Sequence, residues 1–148
     1  MIKYIIPLLL IPSFANANEI SLIKPIYGYH YQDRDFNGKD WNENYLDSIG
    51  LGYRHDNGLG ASVTYVNENS VNQKAWYIHA EYMHKATDWL SLGFAGGIRN
   101  GYPKKAENRS SSDFIPSGAF QIEPCFDSNC LLIQLTDSVS VISYKYGF

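Results

Sequence analysis

Apolar and polar side chains alternate residue by residue over most of this chain, from Ile20 to Phe148. Such alternation predicts β-strands, because successive side chains of a strand point to opposite faces. The last predicted strand shows it most clearly. One face holds Ile142, Tyr144, Tyr146 and Phe148, and the other holds Val139, Val141, Ser143, Lys145 and Gly147. An apolar, aromatic face opposite a small, polar one is typical of a wall between lipid and a polar lumen.

Turn-forming residues divide the chain into eight predicted strands with long and short connections between them. The connections after the first, third and fifth strands are long, and those after the second, fourth, sixth and seventh are short. Asp56-Asn57-Gly58 is a strong hairpin signal. The predicted strands are Ile20–Tyr31, Tyr45–His55, Leu59–Val66, Lys74–Met83, Trp89–Ile98, Phe114–Glu123, Leu131–Leu135 and Val139–Phe148.

This pattern predicts an all-β fold, an eight-stranded antiparallel transmembrane (outer-membrane) β-barrel. Short turns of such barrels face the periplasm, so both termini are expected there. The larger apolar residues would face lipid, from Ile23, Tyr27 and Tyr29 on the first strand to Leu131 and Ile133 on the seventh. The alternative is a soluble lipocalin-like barrel, which would place the apolar residues inside.

The N-terminal segment, residues 1–17, has the features of a cleaved secretory signal peptide. A single cation, Lys3, precedes an apolar run that ends near Ile11, and Ala15-Asn16-Ala17 provides a small-residue cleavage site. The mature chain, residues 18–148, has the length of a single barrel domain. A net charge of −3 argues against nucleic acid as a partner. The predicted location is the outer membrane of a Gram-negative cell.

Two cysteines, Cys125 and Cys130, enclose the segment Phe-Asp-Ser-Asn. A secreted chain passes through an oxidising periplasm, so the pair is expected to form a disulfide across a short turn. The alternative is a metal site, but the sequence offers no nearby histidine or third cysteine. We therefore expect no metal and no cofactor.

The residues predicted to face the lumen fall into two groups along the barrel axis. The periplasmic end holds mixed charges that can pair, namely Lys24, Arg54, Glu81, Glu123 and Lys145. The outer end is small and apolar and would accept an acyl chain, or it is a packed plug of side chains. This predicted pocket consists of Gly28, Gly50, Val66, Ala95, Gly97, Ile115, Ala119, Val139 and Val141.

A candidate catalytic group lies at the outer rim. His30 is the histidine predicted to face inward at that end, and the loop after the third strand carries Glu68, Asn69 and Ser70. A histidine base, a serine hydroxyl and a carboxylate at one mouth would support acyl transfer. The alternative is that these are ordinary solvated rim residues.

At these residues the chain resembles the lipid A palmitoyltransferase family of outer-membrane barrel enzymes. Pro25 precedes His30 as a strand-one proline precedes the family's catalytic histidine, and Ser70 falls where the family has the serine of an Asp-Ser pair. Asn69 stands in place of that aspartate, next to Glu68. Further similar segments are Trp41–Tyr45, Gly50–Arg54, Leu92–Ile98, Ile115-Pro116 and the aromatic closing strand.

The resemblance implies transfer of a palmitoyl chain from a phospholipid to lipid A. It implies that His30 activates the acceptor hydroxyl with Ser70 assisting, and that Pro25 and Pro116 mark weakened strand seams that admit lipid. The expected partners are then phospholipid and lipid A or lipopolysaccharide, and a monomer is expected.

The competing hypothesis is a non-enzymatic surface barrel. Its basis is the set of polar loops Gln32–Asn44, Asn67–Gln73 and Arg99–Asp113. The third of these carries the basic residues Arg99, Lys104, Lys105 and Arg109, which are either simply solvated or meet lipopolysaccharide phosphates.

Overall fold

The computed structural model describes residues 19–31, 43–44, 47–68, 74–101 and 114–148, and within these ranges it is built from β-strands. The predicted signal peptide therefore lies outside the described residues. The strands are β1 (Glu19–His30), β2 (Glu43–Asn44), β3 (Ile49–Arg54), β4 (Leu59–Val66), β5 (Ala75–Lys85), β6 (Leu90–Arg99), β7 (Ile115–Phe126), β8 (Asn129–Leu135) and β9 (Val139–Gly147).

The strands close into a barrel. Each strand from β3 to β9 pairs with the next, and β1 closes the circle by pairing with both β3 and β9. Short β2 continues the line of β3 along the same edge of β1, so the wall has eight positions. All pairs are antiparallel. The predicted eight-stranded antiparallel barrel is confirmed.

The two ends of the barrel differ in the length of their connections. One, here called the turn end, holds Glu19, Phe148 and the short connections 55–58, 86–89 and 127–128. The other, called the loop end, holds connections 31–42, 67–74 and 100–114 and the short hairpin 136–138. The predicted hairpin at Asp56-Asn57-Gly58 is present, and Gly58 adopts a φ of 87°, which favours glycine.

The outer surface is apolar, with aromatic residues towards both ends. Towards the turn end the exposed aromatic residues are Tyr82, Trp89, Phe126, Tyr144, Tyr146 and Phe148. Towards the loop end they are Tyr27, Tyr29, Tyr31, Trp76 and Phe114. Exposed aliphatic residues such as Leu51, Ile78 and Ile98 lie on the wall between them. A band of this kind flanked by aromatic girdles fits a lipid environment, so the lipocalin-like alternative was wrong.

The prediction for β1 was wrong at two positions. Ile23, expected to face lipid, is 5% exposed and lies on the lumen side, and Lys24 lies on the opposite face. The cause is a register shift against β9 between Pro25 and Tyr27, which inserts one extra residue into β1. An inserted residue reverses the alternation on one side of it. Tyr27 and Tyr29 keep their predicted outward side.

The second predicted strand is shorter than predicted. Of Tyr45–His55, the described strand β3 covers only Ile49–Arg54, and short β2 lies before it, in the predicted loop Gln32–Asn44. Conversely, β7 and β8 extend further than predicted, because Cys125 pairs with Cys130 and the turn between them shrinks to residues 127–128. No helix in the described part of the chain is long and apolar enough to span a membrane.

Candidate functional site

The predicted catalytic group is only partly within the described residues. His30 ends β1 at the loop end, where it is half-buried and paired with Val139. Glu68 follows β4 at the same end and is exposed. Asn69 and Ser70 lie outside the described residues, so the convergence of the group stays a prediction.

The lumen below this rim is crossed by packed side chains. Val66 and Ala75 form a buried apolar pair, and Tyr77 and Val141 pack against it. β5 and β9 lie on opposite sides of the eight-position wall, so Val141 reaches these residues across the lumen. The upper lumen is therefore filled at this level. Tyr77 was missed as a lumen residue, although it alternates with inward Ala75 and His79 and the pattern could have found it.

The nine residues predicted as an acyl-chain pocket all lie on the lumen side of their strands. Gly28, Gly50, Val66, Ala95 and Ile115 are buried, and Gly97, Ala119, Val139 and Val141 are partly buried. Two of them, Val66 and Val141, take part in the packing across the lumen. Their inward direction is thus shown, and their role as a lipid pocket stays a prediction.

A polar contact lies beside this packed layer. His79 Nε2 is 3.1 Å from Ser117 Oγ, and the His79 ring lies 6.2 Å from that of Tyr77. His79 is buried on the lumen side of β5. Its register partner, Gly97, pairs in turn with Ser117 near the start of β7, so His79 belongs to the loop-end half.

An ion network crosses the lumen at the turn end. Arg54 donates to Glu123 Oε1 at 2.6 Å and Oε2 at 3.0 Å, and to Glu81 Oε1 at 3.1 Å. Lys145 Nζ lies 3.1 Å from Glu123 Oε2 and 2.6 Å from Glu19 Oε1. β3 and β7 are opposite each other in the wall, so the bidentate Arg54–Glu123 pair spans the barrel. We call these five residues the ion network.

Burial makes Glu123 the centre of this network. Its side chain is 1% exposed and Lys145's is 3% exposed, whereas Glu19 at the edge is 34% exposed. Four of the five charged residues predicted for this end of the lumen belong to the ion network. The fifth, Lys24, does not, and Glu19 of the same strand belongs to it instead. The bulge in β1 explains the exchange, because it places Glu19, Ser21 and Ile23 rather than Lys24 on the lumen side.

Of the two prolines predicted as lipid-access points, Pro25 lies beside an interruption in strand pairing. On one edge of β1, the register against β9 shifts between Pro25 and Tyr27. On the other edge of β1, the described pairs with β3 end at Ile23, and pairing resumes with β2 at Tyr27. Pro116 pairs with Ile98 on β6, but the described pairing of β7 with β8 reaches only as far as Phe120. Proline lacks the N–H that a ladder needs, which fits the interruption beside Pro25. At Pro116 the pairing of β7 with β8 has already ended, because β8 ends at Leu135.

The predicted disulfide is confirmed. Cys125 and Cys130 are cross-strand partners in the β7–β8 hairpin, with Cα atoms 4.0 Å apart. With Glu123 they form a cluster of the size that could hold a metal ion. The two sulfurs are bonded to each other, however, and the Glu123 carboxylate accepts from Arg54 and Lys145.

A cleft of about 380 Å³ opens at the turn end. The hairpin residues His55 to Gly58 border it on one side, and Met83, His84 and Lys85 of β5 on the other. Glu19 and Arg54 of the ion network also line it. None of the predicted site residues that the structure describes lines this cleft.

A closed antiparallel barrel with an apolar exterior and a charged interior defines the class of this protein. It is a transmembrane β-barrel of the outer-membrane type, with eight strands.

No family model matches this chain, and no curated protein matches it in sequence. Solved structures of the Yersinia pestis outer membrane protein Ail are similar in fold. The structure of Ail in a phospholipid bilayer nanodisc has 16% identity and a TM-score of 0.40, covering 88% of this chain and 99% of that one. The crystal structure of Ail, the attachment invasion locus protein, has 17% identity and a TM-score of 0.42, covering 87% and 95%.

A third structure shows Ail in complex with the heparin analogue sucrose octasulfate. It has 16% identity and a TM-score of 0.38, covering 87% of this chain and 92% of that one. These likenesses concern the barrel architecture and say nothing about the function of this chain. They do not single out the palmitoyltransferase family that the sequence resembles.

Proposed function

We propose that this protein is a non-enzymatic barrel of the Gram-negative outer membrane that holds its loop end outside the cell for binding. The observation that carries this proposal is the filled lumen. Val66, Ala75, Tyr77 and Val141 pack together in the upper half, and the ion network crosses the lower half.

A filled lumen favours binding at the loops over chemistry inside. The interior of an eight-stranded barrel is wide enough for its own side chains or for one small ligand. An acyl chain entering from the loop end would have to displace the contact between Val141 and the Val66–Ala75 pair. The sequences of the three long connections at the loop end are polar, and we propose them as the place where a partner binds.

The third long connection is the best candidate for contact with lipopolysaccharide. Its sequence carries Lys104, Lys105 and Arg109 directly after Arg99 of β6. Lysine and arginine bind phosphate groups through charge-assisted hydrogen bonds. With the loop end outside and both termini in the periplasm, β6 and β7 would be joined on the side of the membrane that carries the lipopolysaccharide phosphates. We propose these phosphates as the partner of the third long connection.

Loop replacement tests this function. Residues 102–113 would be replaced by a Gly/Ser linker of equal length, and the purified barrel in phospholipid nanodiscs would be titrated with lipopolysaccharide. Binding should weaken at least tenfold and lose most of its salt dependence. A matched replacement of residues 32–42, whose sequence is net acidic, serves as the control. Equal binding by both variants and the parent would contradict the proposal.

Acyl transfer to lipid A is a second candidate, because Pro25 lies at an interruption of strand pairing on both edges of β1. In this reading His30 activates the acceptor hydroxyl, with Ser70, Glu68 and Asn69 at the same rim. The chain would be expressed in a Gram-negative host, and lipid A would be examined by mass spectrometry. Unchanged lipid A in cells with an inserted barrel supports the non-enzymatic proposal. The mass of one added acyl chain, lost in His30→Ala, would overturn it.

A further inference from the structure

One lumen side chain has polar groups without protein partners. Gln121 is 0% exposed, yet neither its amide oxygen nor its amide nitrogen has a hydrogen-bond partner within the described part of the chain. A buried amide without partners costs free energy comparable with lost hydrogen bonds, so such groups almost always have a protein or water partner. The position therefore requires an explanation.

Gln121 lies next to the ion network. It is two residues before Glu123 on the lumen side of β7, and both are buried. Arg54, which donates to Glu123, has a second unpartnered buried donor in its Nε atom. Donors and an acceptor without protein partners within the described residues thus occur on Arg54, which binds the Glu123 carboxylate, and on Gln121, the preceding inward residue of β7.

The wall around Gln121 combines small residues with further polar groups. Its partner on β6 is Gly93, and Ala95 and Ala119 form the next inward pair towards the loop end. Its partner on β8 is Gln134. Gly93, Ala95 and Ala119 offer the amide no side-chain polar group, and Met83 packs against Gly93 on this side of the wall. A buried water molecule, which makes two to four hydrogen bonds, can supply the partners that the amide lacks.

We propose that Gln121 binds ordered water in the middle of the lumen, and that this water links its amide to the Arg54–Glu123 pair. Water is the ligand that fits, because one molecule can accept from the Gln121 Nε2 and Arg54 Nε donors and can donate to the amide oxygen or to Glu123. The lumen is then divided at the level of Gln121. Towards the loop end it is packed by Val66, Ala75 and Val141, and at the level of Gln121 and Arg54 it is hydrated.

NMR spectroscopy of the full mature chain in nanodiscs tests this inference. The side-chain amide signals of Gln121 would be assigned by their loss in Gln121→Met. We expect cross-peaks between these amide protons and water, with the sign that marks a long-lived bound molecule. Absence of these cross-peaks in the folded wild-type barrel would overturn the proposal. If Gln121→Met does not fold, through-bond correlation of the side-chain amide with the Gln121 backbone gives the same assignment.

A stability comparison provides a second, independent measurement. Gln121→Met removes the water's partner, so the midpoint of urea unfolding should fall. Gln134→Met is the matched control, since Gln134 is the cross-strand partner of Gln121 but is only partly buried, and its midpoint should change little. If no water were bound, Gln121→Met would replace an unpartnered buried amide with an apolar side chain, and the midpoint of urea unfolding would rise. A rise in the midpoint of Gln121→Met would therefore contradict bound water.

Discussion

The two halves of the lumen are built from the same alternating wall but are filled in different ways. The loop-end half closes by apolar contact, with Val66, Ala75 and Val141 meeting across the barrel. The turn-end half closes by charge, with Glu123 held between Arg54 and Lys145. Apolar packing can be rearranged one side chain at a time. A buried charge network depends on each member, because removing one leaves its partners uncompensated.

The largest effect is expected from Glu123→Gln, which removes the shared carboxylate of the ion network. Arg54 keeps Glu81 and Lys145 keeps Glu19, so we expect the low end of the range for a broken buried pair, about 3 kcal/mol of unfolding free energy. Urea unfolding in detergent micelles, followed by tryptophan fluorescence, measures the loss.

Glu68→Gln is the control for this change, because Glu68 is an exposed glutamate at the loop end. Its effect should stay within about 0.5 kcal/mol. If the two variants lose the same unfolding free energy, the buried carboxylate of the ion network contributes no more to stability than an exposed carboxylate at the loop end. That result would contradict the prediction.

Particular residues show how far the sequence could predict this molecule. Alternation placed Arg54, Glu81, Glu123 and Lys145 inside, because inward and outward positions on a regular strand follow from period two alone. Alternation gave the wrong face for Lys24 because β1 contains a bulge. A bulge depends on how two neighbouring strands pair, so the apolar and polar pattern of one strand does not reveal it.

The candidate site was predictable to a smaller extent. Sequence could place Val66 and Val141 on the lumen side, but it could not show that they meet across the barrel, because contact depends on the width and tilt of the closed wall. Likewise, the His79–Ser117 contact joins β5 to β7 across the intervening β6, and only the register of three strands reveals it.

A smaller effect is expected from Val66→Ala, which removes the apolar contact in the loop-end half. Removing two buried carbons leaves a small void between Ala75 and Val141, and the expected cost is about 1 to 2 kcal/mol. Val63→Ala is the matched control, because Val63 is on the same strand but points towards lipid, which can fill the lost volume. If both variants lose the same stability, the upper lumen is not packed as the contacts indicate. The same urea titration decides between these outcomes.

The smallest effect is expected from Ser117→Ala, which removes the hydrogen-bond partner of His79 in the loop-end half. Only one neutral hydrogen bond is lost, so the expected cost is about 1 kcal/mol, well below that of Glu123→Gln. Ser117→Thr keeps the hydroxyl and should retain most of the stability. A loss in Ser117→Ala as large as that in Glu123→Gln would mean that polar contacts carry both halves equally, and the division of the lumen into an apolar and a charged half would fail.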